Sequence, residues 1–450
     1  MGGQSKKIDT VIVGMGNTGL SCARYLAKQG VEFAMLDTRE QPPMADTISR
    51  EFPDILLSPG GIDEELILSA RRIIVSPGIS SNQPLFQKAK DGGCVVMGDI
   101  ELFCEVAEAP VIAITGSNGK STVTSLLAEM AKTDGHKCAV GANLGTPALD
   151  LLSEGKVDHY ILELSSFQLE TVSRLNAVAA VVLNISDDHM DRYNTLAEYA
   201  AAKARIFNGN GVMVLNGGDP LVMNMQREGR EMYTFSAAEP DDHNYGLRTY
   251  DDEVWLVRGQ EKIIRRNEIK LIGDHNIANV LAAVALADVM NISRSAMVRV
   301  LMNFTGLPHR CQWVAENDGV TWYNDSKGTN VGAAIAAIKG LGNGGRIILI
   351  AGGEGKGADF TPLADVAREY LSAAVLIGRD AAKIRNVLTG IIPLVDATDM
   401  SAAVHAAAML AKVGDDVLLS PACASLDMFE NYQDRGDAFV EAVKKLVAGK

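Results

Sequence analysis

The chain has 450 residues, enough for about two to four domains, each with its own core. Nearly half of the residues (47%) are apolar and glycine is plentiful, which suits a layered α/β enzyme. Acidic residues outnumber basic ones 56 to 42, and a net charge of −14 excludes a global attraction to nucleic acid or to an anionic membrane.

Strand-like runs alternate with helical ones from the start. DTVIVGMGNTGLSCARYL reads as strand, glycine turn and helix. VEFAMLD is a second strand ending at Asp37, and short strands follow at 72–75 and 94–97. These predict a small doubly wound unit over residues 1–98. GMGNTG, Gly14 to Gly19, matches the dinucleotide pattern, and Asp37 stands where a ribose-binding acid would. Alone the pattern suggests an NAD enzyme, yet it says only that some phosphate or nucleotide sits at this turn. Ser76-Pro77-Gly78 is a second tight turn at a strand end, either structural or a pocket wall.

The stretch VIAITGSNGKST, Val111 to Thr122, is the most informative. Four apolar residues read as a buried parallel strand. The turn Gly116-Ser117-Asn118-Gly119 follows, and Lys120, Ser121 and Thr122 open a helix. Such a turn aims backbone N–H groups and a helix N-terminus at a phosphate chain. Lys120 would reach the β/γ-phosphates, and Ser121 or Thr122 would offer a hydroxyl to Mg²⁺. The standard P-loop would place a glycine at Ile114, so this is a variant loop with its GK[ST] core intact.

The P-loop begins a second α/β unit with strands at 159–164, 180–185 and 211–216. Residues 237–267 read as a small antiparallel excursion, and a helix from His275 to Met290 closes the unit. Residues 304–310 look like a linker. WYNDSK, RIILIAGG, AAVLIG and DVLLSPA then predict a third α/β unit. Ligands collect beyond the carboxyl ends of such strands. Glu163, Asp187-Asp188-His189, Asp325-Ser326-Lys327 and Ser420 all fall there.

Beside a P-loop, Glu163 and the acid and imidazole of SDDHMDR (186–192) suit Mg²⁺. Lys203, in YAAAKARIF, reads from spacing alone as a solvent-facing helical charge. Asn276 and Asn279 lie one turn apart and could bond a base or cap a helix. Arg310 is a phosphate clamp or a linker charge. Lys356 sits in a glycine loop. Cys423, among small residues, reads as a buried structural thiol. Six scattered cysteines without a CxxC pair argue for reduced thiols in a cytosol. No apolar run approaches the roughly 18 residues of a membrane span. MGGQSKK has neither a signal-peptide core nor a myristoylation pattern. A cytoplasmic protein is expected.

Together TGSNGKST, LELSSFQLE, DDHMDRY, GLPHRC, NDSKGTN and SPACASLDMFENYQDRG resemble the Mur ligases over nearly the full chain. These are the ATP-dependent amino-acid-adding enzymes of peptidoglycan precursor synthesis. Siblings that add later residues carry an Asp-Tyr-Ala-His type motif where this chain has Asp325-Ser326-Lys327, which points to the D-glutamate-adding branch. Two departures are Gly328, where alanine is frequent and little effect is expected, and Tyr432, where phenylalanine is common.

The resemblance implies an α/β fold of three domains: a Rossmann-like N-terminal unit (1–98) for the UDP-sugar, a central P-loop unit (99–307) for ATP, and a Rossmann-like C-terminal unit (308–450) for the amino acid. It implies UDP-N-acetylmuramoyl-L-alanine, D-glutamate and ATP as partners, two Mg²⁺ ions, a monomer, and no nucleic acid or membrane. Gly14, Gly16, Asn17, Thr18, Asp37, Thr38, Arg39, Ser76, Gly78, Asn143 and Gln168 would hold the UDP-substrate, and Arg192 would lie near the substrate or the phosphates. Gly116, Ser117, Asn118, Gly119, Lys120, Ser121, Thr122, Asn276, Asn279, Arg310, Asp325 and Lys327 would hold ATP. Ser121 and Glu163 would bind one metal; His189 and a carbamylated Lys203 would bind the other. On family grounds this reverses the reading of Lys203 as a surface charge, and it makes Lys120, His189 and Lys203 the catalytic residues. Thr329, Lys356, Ser425, Leu426 and Tyr432 would form the D-glutamate pocket. Rival readings are another Mur-type or folylpolyglutamate-type ligase, an NAD oxidoreductase, and a non-catalytic nucleotide-binding regulator.

Overall fold

Short β-branched and apolar runs form the strands, and glycine or Asn/Asp turns carry most of them into helices. The computed structural model describes residues 9–186, 188–189, 192–271, 274–342 and 346–449. Strands β1 (Thr10–Val13), β2 (Phe33–Asp37), β3 (Leu57–Pro59), β4 (Arg72–Val75) and β5 (Val95–Met97) form a parallel sheet in the order β3-β2-β1-β4-β5. The first glycine turn is tightly built. A Cβ on Gly19 would run into the Gly14 carbonyl, so only glycine lets the helix Asn17–Lys28 pack so close to β1.

The second sheet has nine strands: β6 (Val111–Thr115), β7 (Cys138–Ala142), β8 (His159–Glu163), β9 (Ala179–Val182), β10 (Val212–Asn216), β11 (Met232–Phe235), β12 (Tyr245–Tyr250), β13 (Glu253–Arg258) and β14 (Glu261–Arg265). Their order is β14-β13-β12-β11-β10-β9-β6-β8-β7. The strands from β7 to β11 are parallel, whereas β12 and β13 form an antiparallel hairpin inside the expected excursion. The helix Asp274–Val289 follows. β7 escaped the sequence reading because CAVGA is short, mixed and poor in β-formers.

The third sheet contains β15 (Gln312–Asn317), β16 (Val320–Asn324), β17 (Ile347–Gly352), β18 (Leu371–Ile377), β19 (Leu394–Asp396) and β20 (Asp416–Leu419), in the order β15-β16-β20-β17-β18-β19. It is parallel except for the β15–β16 hairpin at its edge. β15, too, was not foreseen. Half-buried on an edge, it lacks an apolar run.

Packing divides the chain into two compact units, residues 1–264 with 278–300, and residues 265–277 with 301–450. Within the first, one apolar cluster runs from Ile12, Met35 and Met97 through Phe103 to Tyr160, Leu169 and Met213. Phe103 and Tyr160 meet edge-on at 5.0 Å. The first two sheets therefore share one core. In the second unit, Leu349 and Ile338 belong to a core on one face of the sheet, and Ile350 and Phe439 to a core on the other. Among the described residues, no helix is long and apolar enough to cross a membrane.

Candidate active site

The apolar strand β6 ends at Thr115, and the P-loop emerges at its carboxyl end into the helix Lys120–Thr133. Gly119 adopts φ +85°, and the space a Cβ would need is filled by the Asn279 side-chain amide. Asn279 is thereby brought against the loop, and Asn276 lies one turn earlier on the same helix. The loop is braced by the segment after β9. Asn118 N donates to Asn184 Oδ1 at 2.8 Å, and Ser117 Oγ donates to the Ser186 carbonyl at 3.1 Å. Lys120 Nζ donates to the carbonyls of Gly116 and Ser117, both at 2.8 Å. Ser121 and Thr122 stand partly buried in the first helical turn.

Lys203 overturns the reading taken from its spacing. It is only 1% exposed, because Tyr199, Ala202 and Lys203 form the inward face of the helix Leu196–Ala204. Its Nζ donates to Gly116 O at 2.9 Å and Thr115 Oγ1 at 3.3 Å, and sits 4.7 Å from the Tyr199 ring centre. Burial, and then the Lys120 ammonium, push its pKa down to about 7. Two lysines thus converge on one carbonyl.

Glu163 ends β8, 2% exposed. Its Oε1 accepts from Asn143 Nδ2 at 2.6 Å, while Oε2 is buried with no hydrogen-bond partner among the described residues. Asn143 follows Ala142, which is held at φ +81°. His189, at φ +55°, lies with its ring 4.6 Å from Phe167 and its Nε2 3.5 Å from Asp188. Asp187 lies outside the described residues. Among those residues, no three acidic, histidine or cysteine side chains converge as a metal cage. Mg²⁺ needs none, since it is held by one or two carboxylates plus phosphate and water. The orphaned Glu163 oxygen and the Ser121 hydroxyl fit that donor set.

In the first sheet, Asp37 is fully committed. Its carboxylate accepts from Met15 N (2.7 Å), Arg39 N (2.9 Å) and the Arg39 guanidinium (2.7 and 2.9 Å). Arg39 foremost holds its pKa at about 2, against the usual 3.8. Ser76 Oγ donates to Gly14 O at 3.5 Å. A Cβ on Gly16 or Gly78 would meet nothing, so both glycines border open space, while Asn17, Thr18 and Thr38 are partly or fully exposed. Gln168 is buried in a capping box, Oε1 accepting from Ser165 and Nε2 donating to Asp99.

In the third sheet, Asp325 follows β16. Its Oδ2 accepts from Ser420 Oγ at 2.7 Å and its Oδ1 from Cys311 N at 3.2 Å, and burial raises its pKa to about 6. A Cβ on Gly328 would stand 2.5 Å from Asp325 Oδ2 and 2.7 Å from Ser420 Oγ. The nearest atoms are the ends of two side chains, so an alanine there fits once each of them shifts slightly. Lys327 Nζ lies 5.4 Å from the Tyr432 ring centre. Arg310, Lys356 and Leu426 are exposed, Thr329 partly so, and Ser425 is buried. Cys423 is buried and its thiol is pushed up to about 12, as a structural thiol requires.

Arg435 went unread in the sequence. Only 1% exposed, it donates to Ser326 Oγ (2.9 Å), Ser326 O (2.8 Å) and Cys423 O (3.0 Å). It ties the Asp325–Lys327 loop to the segment bearing Ser425. The available signal was its place beside Gly436, whose missing side chain makes room for the His309 ring.

Three family models cover the chain: the Mur ligase MurD-like N-terminal domain over residues 8–98, the Mur ligase middle domain over 114–287, and the Mur ligase glutamate ligase domain over 309–423. The chain belongs to the Mur ligase family. It is 50% identical over 439 residues to a UDP-N-acetylmuramoylalanine–D-glutamate ligase of Nitrosococcus oceani, covering 98% of this chain and 97% of the relative. It is 51% identical over 438 residues to the ligase of the same name from Pseudomonas syringae pv. syringae, covering 97% and 98%. A solved UDP-N-acetylmuramoyl-L-alanyl-D-glutamate–2,6-diaminopimelate ligase shares the fold, with TM-score 0.60 and 21% identity over 83% of this chain and 92% of that one. So does a UDP-N-acetylmuramate–alanine ligase from Thermotoga maritima, with TM-score 0.54 and 15% identity over 98% and 100%.

Proposed function

We propose that this protein is a cytoplasmic ATP-dependent ligase that joins D-glutamate to UDP-N-acetylmuramoyl-L-alanine in peptidoglycan precursor synthesis. The carrying observation is the P-loop with a buried, half-unpaired Glu163 and two lysines meeting at the Gly116 carbonyl. The near-full-length identity to ligases of that name and the Asp325-Ser326-Lys327 motif support the choice of D-glutamate. GMGNTG then serves a uridine nucleotide rather than NAD.

A free carboxylate is a poor acylating agent. ATP converts the L-alanine carboxylate into an acyl phosphate, and the D-glutamate amine displaces phosphate through a tetrahedral intermediate, giving an amide, ADP and phosphate. Loop N–H groups and Lys120 bind the phosphates and offset the charge that builds on the transferring phosphoryl group. Ser121 and Glu163 would hold one Mg²⁺; His189 and carbamylated Lys203 would hold the other. The ions add Lewis-acid neutralisation of that charge. Lys203 is suited to carbamylation because burial favours its neutral amine, whose lone pair attacks CO₂ with loss of a proton. Asn276, Asn279, Arg310, Asp325 and Lys327 complete the nucleotide site. Thr329, Lys356, Ser425, Leu426 and Tyr432 receive D-glutamate. Asp37, Thr38, Arg39, Ser76 and the glycine turns receive the UDP moiety. Domains 1–98, 99–307 and 308–450 divide the three tasks, in a monomer.

The test is phosphate release with UDP-N-acetylmuramoyl-L-alanine, ATP, Mg²⁺ and a panel of amino acids. D-Glutamate alone should drive rapid release, and NAD should be inert. Equal release with other amino acids, or none with D-glutamate, overturns the reading.

A further inference from the structure

The loop Ser76–Ile79 carries two of the proposed uridine-nucleotide contacts and is held from two sides, with Ile79 packed against the core of its own sheet. Ser76 N donates to Val13 O and Ile79 N turns back to Ser76 O, both at 2.9 Å. The outward carbonyls are taken by a residue more than 100 positions away. Arg192 Nη1 donates to Pro77 O at 2.9 Å and Nη2 to Ile79 O at 3.4 Å. The same guanidinium grips Glu170, through Nε to Oε1 at 3.1 Å and Nη2 to Oε2 at 2.6 Å. Both side chains are nearly enclosed, at 12% and 9% exposure. The guanidinium also lies 4.2 Å from the Phe167 ring centre, the ring that faces His189, and Arg192 N donates to His189 O at 2.9 Å.

We infer that Arg192, oriented by Glu170, is a positioning residue that sets the Ser76–Ile79 loop for the uridine nucleotide. This rests on the reading of that loop as part of the UDP site. A planar fork is needed, because one group must serve a carboxylate and two carbonyls at once. Lysine can supply the charge but not that geometry. Glu170 gives the sharpest handle. Removing an anion near a polyanionic ligand should tighten binding if charge alone mattered. If Glu170 orients Arg192, its removal should weaken binding.

The experiment measures binding of UDP-N-acetylmuramoyl-L-alanine by calorimetry without ATP, and the three KM values and kcat by phosphate release. Arg192→Ala, Arg192→Lys and Glu170→Ala should each weaken binding of the UDP compound about tenfold, with kcat and the KM for ATP moving less than about threefold. The double variant should be no worse than the singles, since the pair acts as one unit. Glu170→Gln, which keeps one acceptor, should lose about threefold and carries the test if the alanine variants misfold. Tighter or unchanged binding in the Glu170 variants, recovery in Arg192→Lys, additive losses, or an equal rise in the KM for ATP would overturn the inference. Wild-type protein that fails to bind the UDP compound at all would instead sink the reading of the UDP site beneath it.

Discussion

Replacing Lys120 by methionine keeps the length of the side chain and removes its charge. Among the described residues its Nζ donates to Gly116 O and Ser117 O, and the Lys203 side-chain nitrogen remains as a second partner for Gly116 O. The expected cost to the loop is about 1–2 kcal/mol, too little to unfold a chain of this size. The loss at the transition state is larger. A donor matched to developing charge contributes roughly 3–4 kcal/mol, so kcat should fall about 10²- to 10³-fold. Nucleotide affinity, read with a fluorescent ATP analogue, should fall less. Phosphate release at saturating substrates gives kcat, and circular dichroism reports the fold. Turnover within tenfold of wild type in a folded variant would refute the argument. So would a loss fully explained by weaker ATP binding.

Lys203→Arg should be inactive, since a guanidinium takes up no CO₂ as this amine does; wild-type activity should drop in CO₂-stripped buffer and return with bicarbonate. Chelation should abolish phosphate release and Mg²⁺ restore it, with no change in circular dichroism. Asp37→Asn should destabilise the chain at neutral pH by about 1–2 kcal/mol, discounted because Arg39 is half-exposed. Because the folded pKa is depressed to about 2 from 3.8, that stabilisation is fully present above about pH 4 and disappears as pH falls through 2, so urea titrations of variant and wild type should converge at low pH. Arg435→Met should lower the stability of the third-sheet unit by roughly 3 kcal/mol, because three buried acceptors lose their donor; calorimetry should show that unit's transition moving first.

Local chemistry was the legible part of the sequence. The P-loop could be read because its strand, glycines, lysine and hydroxyls are contiguous, and the parallel strands because burial on both faces makes them continuous apolar runs. What could not be read depends on which way a helix faces. The helix around Lys203 is too rich in alanine to show an inward side, and only its packing reveals that the lysine is enclosed. The resemblance puts Arg192 near the substrate, but Glu170 lies 22 residues earlier, and no local pattern announces that it orients Arg192 toward carbonyls of a third segment. Gly328 looked like any small loop residue until Asp325 and Ser420 were found beside it.

The core shared by the first two sheets bears on how such enzymes exchange parts by recombination. A crossover near residue 98 follows a boundary that sequence models draw, yet it separates Ile12, Met35 and Met97 from Phe103, Tyr160 and Leu169, which pack as one cluster. A chimera joined there inherits two half-cores shaped by different ancestors, and mismatched volume in a close-packed interior is destabilising from either side. Grafts that move residues 10–264 together keep that cluster intact. The uridine-nucleotide site proposed for the first sheet should therefore travel from one relative to another only when it brings its neighbouring sheet along.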